Sequence, residues 1–325
     1  MNGRIITHSD FDGIVSASLC SYVLKIEHII FTSPFAIIRS LIPITDRDIV
    51  CDLPYPLKCS IWFDHHEGNL QELEHRRIDP STIKGRFALL DSCSRVIYEY
   101  FSEKTKLPTY FEETVSEADL IDSFGYQSIE EWKRETPGSI INNSLKIGNE
   151  DQREERRYLK ELTFLIRDNP IGEIISNPKI KERYNKYKDE EDRMLHIISD
   201  SSYFLPQDVG QEIVVIDLTR YNRRPNIIKN LAYLLYPNAL SVLEINNLFE
   251  KGIKTNNLSF SMSLGINLNS IMKHRKNIGE IMRTLNMGDG HPGAASGRII
   301  CKSKPEMLRM KKEIIDKIYE LWSSQ

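Results

Sequence analysis

The chain concentrates its most reactive side chains in one short run, Asp64-His65-His66, which follows the apolar triplet Ile61-Trp62-Phe63. The triplet fits a buried strand, so an acid and two imidazoles fall at a strand tip. In an open α/β sheet that edge is where ligands bind. Carboxylate oxygen and imidazole nitrogen together suit a divalent metal. A second set stands in His8-Ser-Asp10-Phe-Asp12-Gly13. Read as an extended segment, alternate residues point the same way, so His8, Asp10 and Asp12 project together. Gly13 then lets the chain turn sharply into a helix. One Asp could be a simple N-cap, but three donors at a two-residue spacing exceed that need. Asp52 ends the apolar run Ile49-Val-Cys51, just before Leu-Pro. Asp119 and Asp122, three apart in a helical stretch, share a face, so one can be a ligand and the other its support.

The elements that must position these groups alternate. Strands are predicted at 4–7, 27–32, 47–52, 58–63 and 87–91, and helices at 14–24, 92–101 and 112–124. That order implies a largely parallel sheet with helices on both faces. Asp48 reads as a turn residue. Ser92 or Ser94 can cap its helix, whose N-terminus can face an anion. Arg95 beside it would then touch a phosphate, or else be a plain surface cation. From 128 to 208 the chain is charged and mostly helical, with His196 packed structurally. Strands return at 212–218, 240–245, 258–264 and from Arg298, between helices near 227–235 and at 277–285 and 305–322. The expected architecture is α/β in two domains. Residues 1–127 form a mostly parallel sheet with flanking helices, 128–208 a helical connector, and 209–325 a smaller α/β domain with a mixed sheet. Within the last, Gly288-Asp-Gly290-His291-Pro-Gly-Ala-Ala-Ser-Gly297 would let backbone amides approach an anion, with His291 as a side-chain donor.

Composition narrows the partners. The chain has 325 residues, 40% hydrophobic and 27% charged, with a formal net charge of −3. Such a balance attracts no long duplex nucleic acid. A small anion held by metals and local cations remains compatible with it. The five cysteines show no C-x-x-C pair. They are expected to be reduced, and no cysteine cluster argues for structural zinc. The N-terminus has no signal-peptide pattern and no apolar run approaches a membrane span. A cytoplasmic protein, not attached to membrane, is therefore expected.

These motifs together resemble the DHH phosphoesterase superfamily, whose first motif, H-x-D-x-D-G, is matched by His8 to Gly13. Asp52 falls at its second, Asp64-His65-His66 at its third, and Asp119, after Ala118, is the best match for its fourth acid. Gly288 to Gly297 is similar to the G-G-G-H-x-x-A-A-G motif of the associated C-terminal domain. The resemblance spans nearly the whole chain, least in the helical middle. It implies two divalent ions, Mn²⁺ first and Mg²⁺ as the alternative. By it, His8, Asp10 and Asp119 hold one ion, Asp12 and His65 the other, and Asp52 bridges them; the choice between Asp119 and Asp122 stays open. His66 would face the phosphate and Asp64 would orient its neighbours. Gly288, Gly290 and His291 would bind the far end of the substrate across an interdomain cleft. Two departures stand out. Asp289 replaces the middle glycine, and the strand Ser-Phe-Ser-Met-Ser-Leu264 lacks the arginine often carried by nucleotide-cleaving relatives.

The implied activity is two-metal hydrolysis of phosphodiester or phosphate bonds in small nucleotides or short oligonucleotides. An exopolyphosphatase and a non-catalytic nucleotide-binding regulator are the alternatives, and a homodimer is open. Four acids and two histidines converging without metal would repel and be costly to desolvate, which favours the enzyme.

Overall fold

The computed structural model describes residues 3–147, 151–269 and 275–325. The chain divides into two compact units, one of residues 1–125 and 134–188, the other of 126–133 and 189–325.

The first unit opens with β1 (Ile5–Thr7), α1 (Phe11–Leu24), β2 (Ile29–Phe31), α2 (Pro34–Ile38), β3 (Ile49–Cys51), β4 (Ile61–Asp64), α3 (Glu67–His75) and β5 (Gly85–Phe87). Helices α4 (Cys93–Ser102) and α5 (Tyr110–Asp122) follow. The sheet order is β2-β1-β3-β4-β5 and every pairing is parallel. Its strands are apolar on both faces, as a doubly covered parallel sheet requires. Ile5, Cys51 and Phe63 enter a core with α1 and α4, while Ile6, Val50 and Trp62 pack on the other face with Ile37 and Leu73. Because α1 is buried along most of its length, its sequence is apolar or small all round rather than striped. Ser18 satisfies its hydroxyl on Ile14 O and Thr163 O. The fifth strand lies a few residues earlier than expected. Gly85 begins it with φ +127° and its Cα lies against the Trp62 backbone, where a Cβ would come within 1.9 Å of Trp62 O.

The charged middle of the chain is not a separate connector. Helices α7 (Pro137–Ser144), α8 (Gln152–Asp168) and α9 (Ile171–Ile174) supply Ile141, Leu159, Leu162, Ile166 and Ile171 to the core around α1. The short α6 (Ile129–Trp132) instead packs with the second unit, and the long α10 (Pro178–Ser201) runs from one unit into the other. Charge runs mark the solvated faces of these helices, but their apolar stripes are core.

The second unit comprises β6 (Ser202–Tyr203), β7 (Ile213–Asp217), α11 (Ala232–Leu235), β8 (Ser241–Glu250), β9 (Ile253–Leu264), α12 (Ile266–Asn269), α13 (Ile278–Thr284), β10 (Gly288–Gly290), β11 (Ala294–Ile299) and α14 (Lys304–Ser324). Its sheet runs β10-β11-β9-β8-β7-β6; β7 and β8 are parallel and the other neighbours antiparallel. Leu243 and Ile245 face α13 and α14, and Val242 faces the end of α10. The expected mixed sheet is therefore present, as is the parallel one. Among the described residues no helix is long and apolar enough to cross a membrane.

Candidate metal centre

The carboxyl ends of β1, β3 and β4 bring the first unit's donors together. His8 follows β1. Asp10 is the N-cap of α1, and its Oδ1 accepts from Gly13 N at 2.9 Å. Asp12 is already in the first turn of that helix. The three donors thus converge through a strand-to-helix turn and not through extended alternation. Gly13 is required by close packing: a Cβ there would lie 2.4 Å from His8 O. Asp52, just beyond β3, takes a left-handed backbone (φ 55°), a conformation Asp tolerates better than most residues. Its side chain is 2% exposed.

Histidine tautomers are set by fixed neighbours. His65 Nδ1 lies 3.0 Å from Leu90 O. A carbonyl only accepts, so Nδ1 carries the proton and Nε2 offers its lone pair to the cluster. That Nε2 stands 3.3 Å from Asp122 Oδ2 and 3.8 Å from Asp52 Oδ1. His66 Nδ1 lies 2.9 Å from Asp64 Oδ1, and the other oxygen of Asp64 accepts from Asn69 Nδ2 at 2.6 Å. Asp64 itself is fully buried at the end of β4. It fixes the His66 ring and leaves Nε2 of this half-exposed imidazole for another partner. Asn69 carried no signal of this role in the sequence beyond its distance from Asp64.

Helix α4 delivers a different anion site from the one expected. Ser92 is the cap, accepting from Arg95 N at 3.0 Å. The amides of Cys93 and Ser94 donate to the two oxygens of Asp12, both at 2.8 Å. The anion at this helix N-terminus is therefore the Asp12 carboxylate, held in place by the dipole and two N–H groups.

The Arg95 side chain is turned to α5. Its guanidinium donates to Asp119 Oδ2 through Nε and Nη2 at 2.8 and 2.6 Å, and to Glu112 at 2.8 Å. Asp119 also accepts from Ser92 Oγ at 2.6 Å. Asp119 is therefore committed to a structural pair, and Asp122, one turn further along α5, stands with Asp12 and His65. Helical spacing put the two acids on one face; the arginine across from them decides which one is left for the cluster.

Among the described residues, three groupings could each hold a metal ion: His8, Asp10 and Asp52; Asp12, His65 and Asp122; and Asp52, His65 and His66. The last is weakened because His66 Nδ1 is taken by Asp64. Asp52 lies within 3.7 Å of His8 Nδ1 and 3.8 Å of His65 Nε2, between the first two groupings. Two atoms carry the test of fit. Asp52 Oδ2 and His65 Nε2 are buried and have no hydrogen-bond partner, a costly state that a cation would relieve. Electrostatics agree. Burial, then Asp12 and Asp10, push the Asp52 carboxyl well above the usual range. Burial and the same two acids push Asp122 up to about 8. His66 is raised to about 9: burial opposes its charge, but the hydrogen bond and charge of Asp64 outweigh it. The acids lack positive charge, and divalent ions would supply it.

In the second unit, the glycine motif is a β-hairpin rather than an open loop. Gly288 and Gly290 lie on β10, paired with Gly297 and Ala295 of β11. A Cβ on Gly288 would meet Ser296 O at 1.9 Å, and one on Gly279 would meet Gly290 O at 2.3 Å. The glycines thus serve close strand and helix approach. His291 is exposed at the turn, where its N–H donates to Ala294 O at 2.8 Å. Asp289, the departure from the expected glycine, is paired with Arg283 at 2.5 Å, so its charge is offset locally.

No family model and no curated protein matches the sequence. Solved structures do match. One is a pGpG-specific phosphodiesterase, PggH, from Vibrio cholerae, 25% identical over 98% of this chain and 99% of that chain, with a TM-score of 0.72. Another is the DHH domain of a member of a family of ribosomal proteins, 12% identical over 98% and 86%, with a TM-score of 0.60. A third is the exonuclease RecJ bound to manganese, 11% identical over 98% and 90%, with a TM-score of 0.51. The fold is that of the DHH proteins, and it brings His8, Asp10, Asp12, Asp52 and His65 of the motifs together. The chain shares its fold with a phosphodiesterase and an exonuclease, both hydrolases.

Proposed function

We propose that the chain is a metal-dependent phosphodiesterase whose substrate is a short linear oligonucleotide, a dinucleotide of the pGpG type first among them. The observation that carries this is the end-to-end likeness to a pGpG-specific phosphodiesterase, on a chain that keeps a buried donor cluster for divalent metal. His8, Asp10 and Asp52 would hold one ion and Asp12, His65 and Asp122 a second, with Asp52 shared. Manganese is the first choice, since these are oxygen and imidazole donors. When bound, such ions polarise the phosphate and activate a water.

The chain's own residues do the rest. Asp12 is immobilised by two helix amides and His65 by Leu90 O, so neither needs to reorganise on binding. His66, held by Asp64, keeps a proton and presents Nε2–H as a donor to a phosphate oxygen, or to a leaving oxygen as bond cleavage proceeds. Asn69 keeps Asp64 in place. His291 is the candidate donor to the far end of the substrate.

Purified protein offered pGpG, a cyclic dinucleotide, an adenosine bisphosphate and polyphosphate, in Mn²⁺ and in EDTA, tests the reading. The linear dinucleotide should turn over fastest, and only with metal. Faster release of phosphate from polyphosphate would replace this substrate class.

A further inference from the structure

At the carboxyl end of the parallel pair β7–β8, the second unit has a cavity that the reading above does not use. Strand β9 sets the scale. Ser263 pairs with Ala294 beside the His291 hairpin turn, whereas Lys254 stands near the opposite end of the same strand, roughly 30 Å away at the usual strand rise. The cavity there measures about 650 Å³, and Lys254, Lys304, Lys311, Arg220, Tyr203 and Asn247 contribute to its wall. That volume suits a small molecule, and the carboxyl end of parallel strands is where open α/β sheets receive one.

Its wall carries an excess of cations, Lys254, Lys304, Lys311 and Arg220 against Asp200 and Asp217. Lys311 is committed to Asp217 at 2.6 Å and to Thr219 Oγ1 at 2.8 Å. Lys254 Nζ donates to Thr219 O at 2.7 Å, a neutral partner. Burial, with the charges of Lys304 and Lys311, lowers Lys254 from the usual lysine range. A separate feature points to a ligand with donors of its own. Asn247 is 4% exposed; its Nδ2 donates to Thr255 O and to Met307 Sδ, and its Oδ1 has no partner. An unmet buried acceptor is costly.

We propose that this cavity is a second, non-catalytic site for a nucleoside monophosphate, whose phosphate meets Lys254 and Lys304 and whose base donates an N–H to Asn247 Oδ1. Tyr203 and Met307 supply the flat and polarizable surface against which a base rests. The site stands independently of the phosphoesterase reading.

Calorimetric titration of the full chain with GMP in EDTA tests it, because the chelator removes metal-dependent binding at the other cluster. Binding of one GMP per chain is expected. The double variant Lys254→Glu/Lys304→Glu, changed at a cavity rim that carries no core packing, should weaken it at least tenfold. Ribose 5-phosphate should bind wild type more weakly than GMP, and Asn247→Leu should remove that difference. Absence of GMP binding in EDTA, or unchanged affinity in the lysine variant, would overturn the site. Equal affinity of wild type for GMP and ribose 5-phosphate would overturn base recognition without depending on any variant's folding.

Discussion

At the scale of single residues, Asp119 and Asp122 give the clearest contrast. Asp119 accepts from Arg95 and Ser92, while Asp122 stands 3.3 Å from His65 Nε2. Asp122→Asn should therefore lower Mn²⁺ affinity at least tenfold in calorimetry. Asp119→Asn should leave that affinity near wild type and instead cost about 1.5–3 kcal/mol of stability in urea, the range for hydrogen bonds to charged groups. Motif matching favoured Asp119 because helical periodicity cannot separate residues three apart. The deciding fact is a cation on another helix, and Arg95 itself read as either a phosphate contact or a plain surface cation for the same reason. By contrast Asp52, His65 and the residues from His8 to Asp12 were legible, because strand tips ending in donors have few structural uses.

At the scale of elements, the β1–α1 turn and the β1–β3 pairing hold the site's frame. Gly13→Ala would place a Cβ 2.4 Å from His8 O, forcing the His8 turn to shift. Mn²⁺ affinity should fall at least tenfold while the far-ultraviolet circular dichroism of the protein is retained. Asp48, read from sequence as a turn residue, turns out to be buried and to accept from Arg4 Nε at 2.9 Å and Thr45 N at 2.8 Å. It ties the start of β1 to the start of β3. Burial works against its charge, but Arg4 and Thr45 prevail and hold its carboxyl below the usual range. A group depressed in the folded state stabilises above its unfolded pKa, near ~3.9, and loses that contribution as pH falls through the folded value. Asp48→Asn should thus cost about 2–3 kcal/mol in urea at pH 7, and the gap should close as the pH drops below that depressed value. The pattern of alternating apolar runs made the parallel sheet readable. The place of β5 was not, because Gly85 starts it by close backbone approach to Trp62, and a glycine reads as a break. The strands of the glycine hairpin β10–β11 were not readable for the same reason.

At the scale of the whole molecule, the helical middle was the least legible part. Its charge runs obscure the stripe of Leu159, Leu162 and Ile166 that completes the core around α1. If His291 serves substrate and not metal, His291→Ala should leave Mn²⁺ stoichiometry and affinity unchanged while kcat/KM for the linear dinucleotide falls by roughly one to three powers of ten. The central claim rests on Asp52, the buried acid that lies between the two ligand groups, with an oxygen left without a partner. The most direct measurement is the rate of pGpG hydrolysis in Mn²⁺ by wild type and by the nearly isosteric Asp52→Asn, with thermal melting to establish that the variant is folded. The expected result is metal-dependent turnover by wild type and a loss of about three powers of ten or more in the folded variant. Turnover by Asp52→Asn equal to that of wild type would contradict the account.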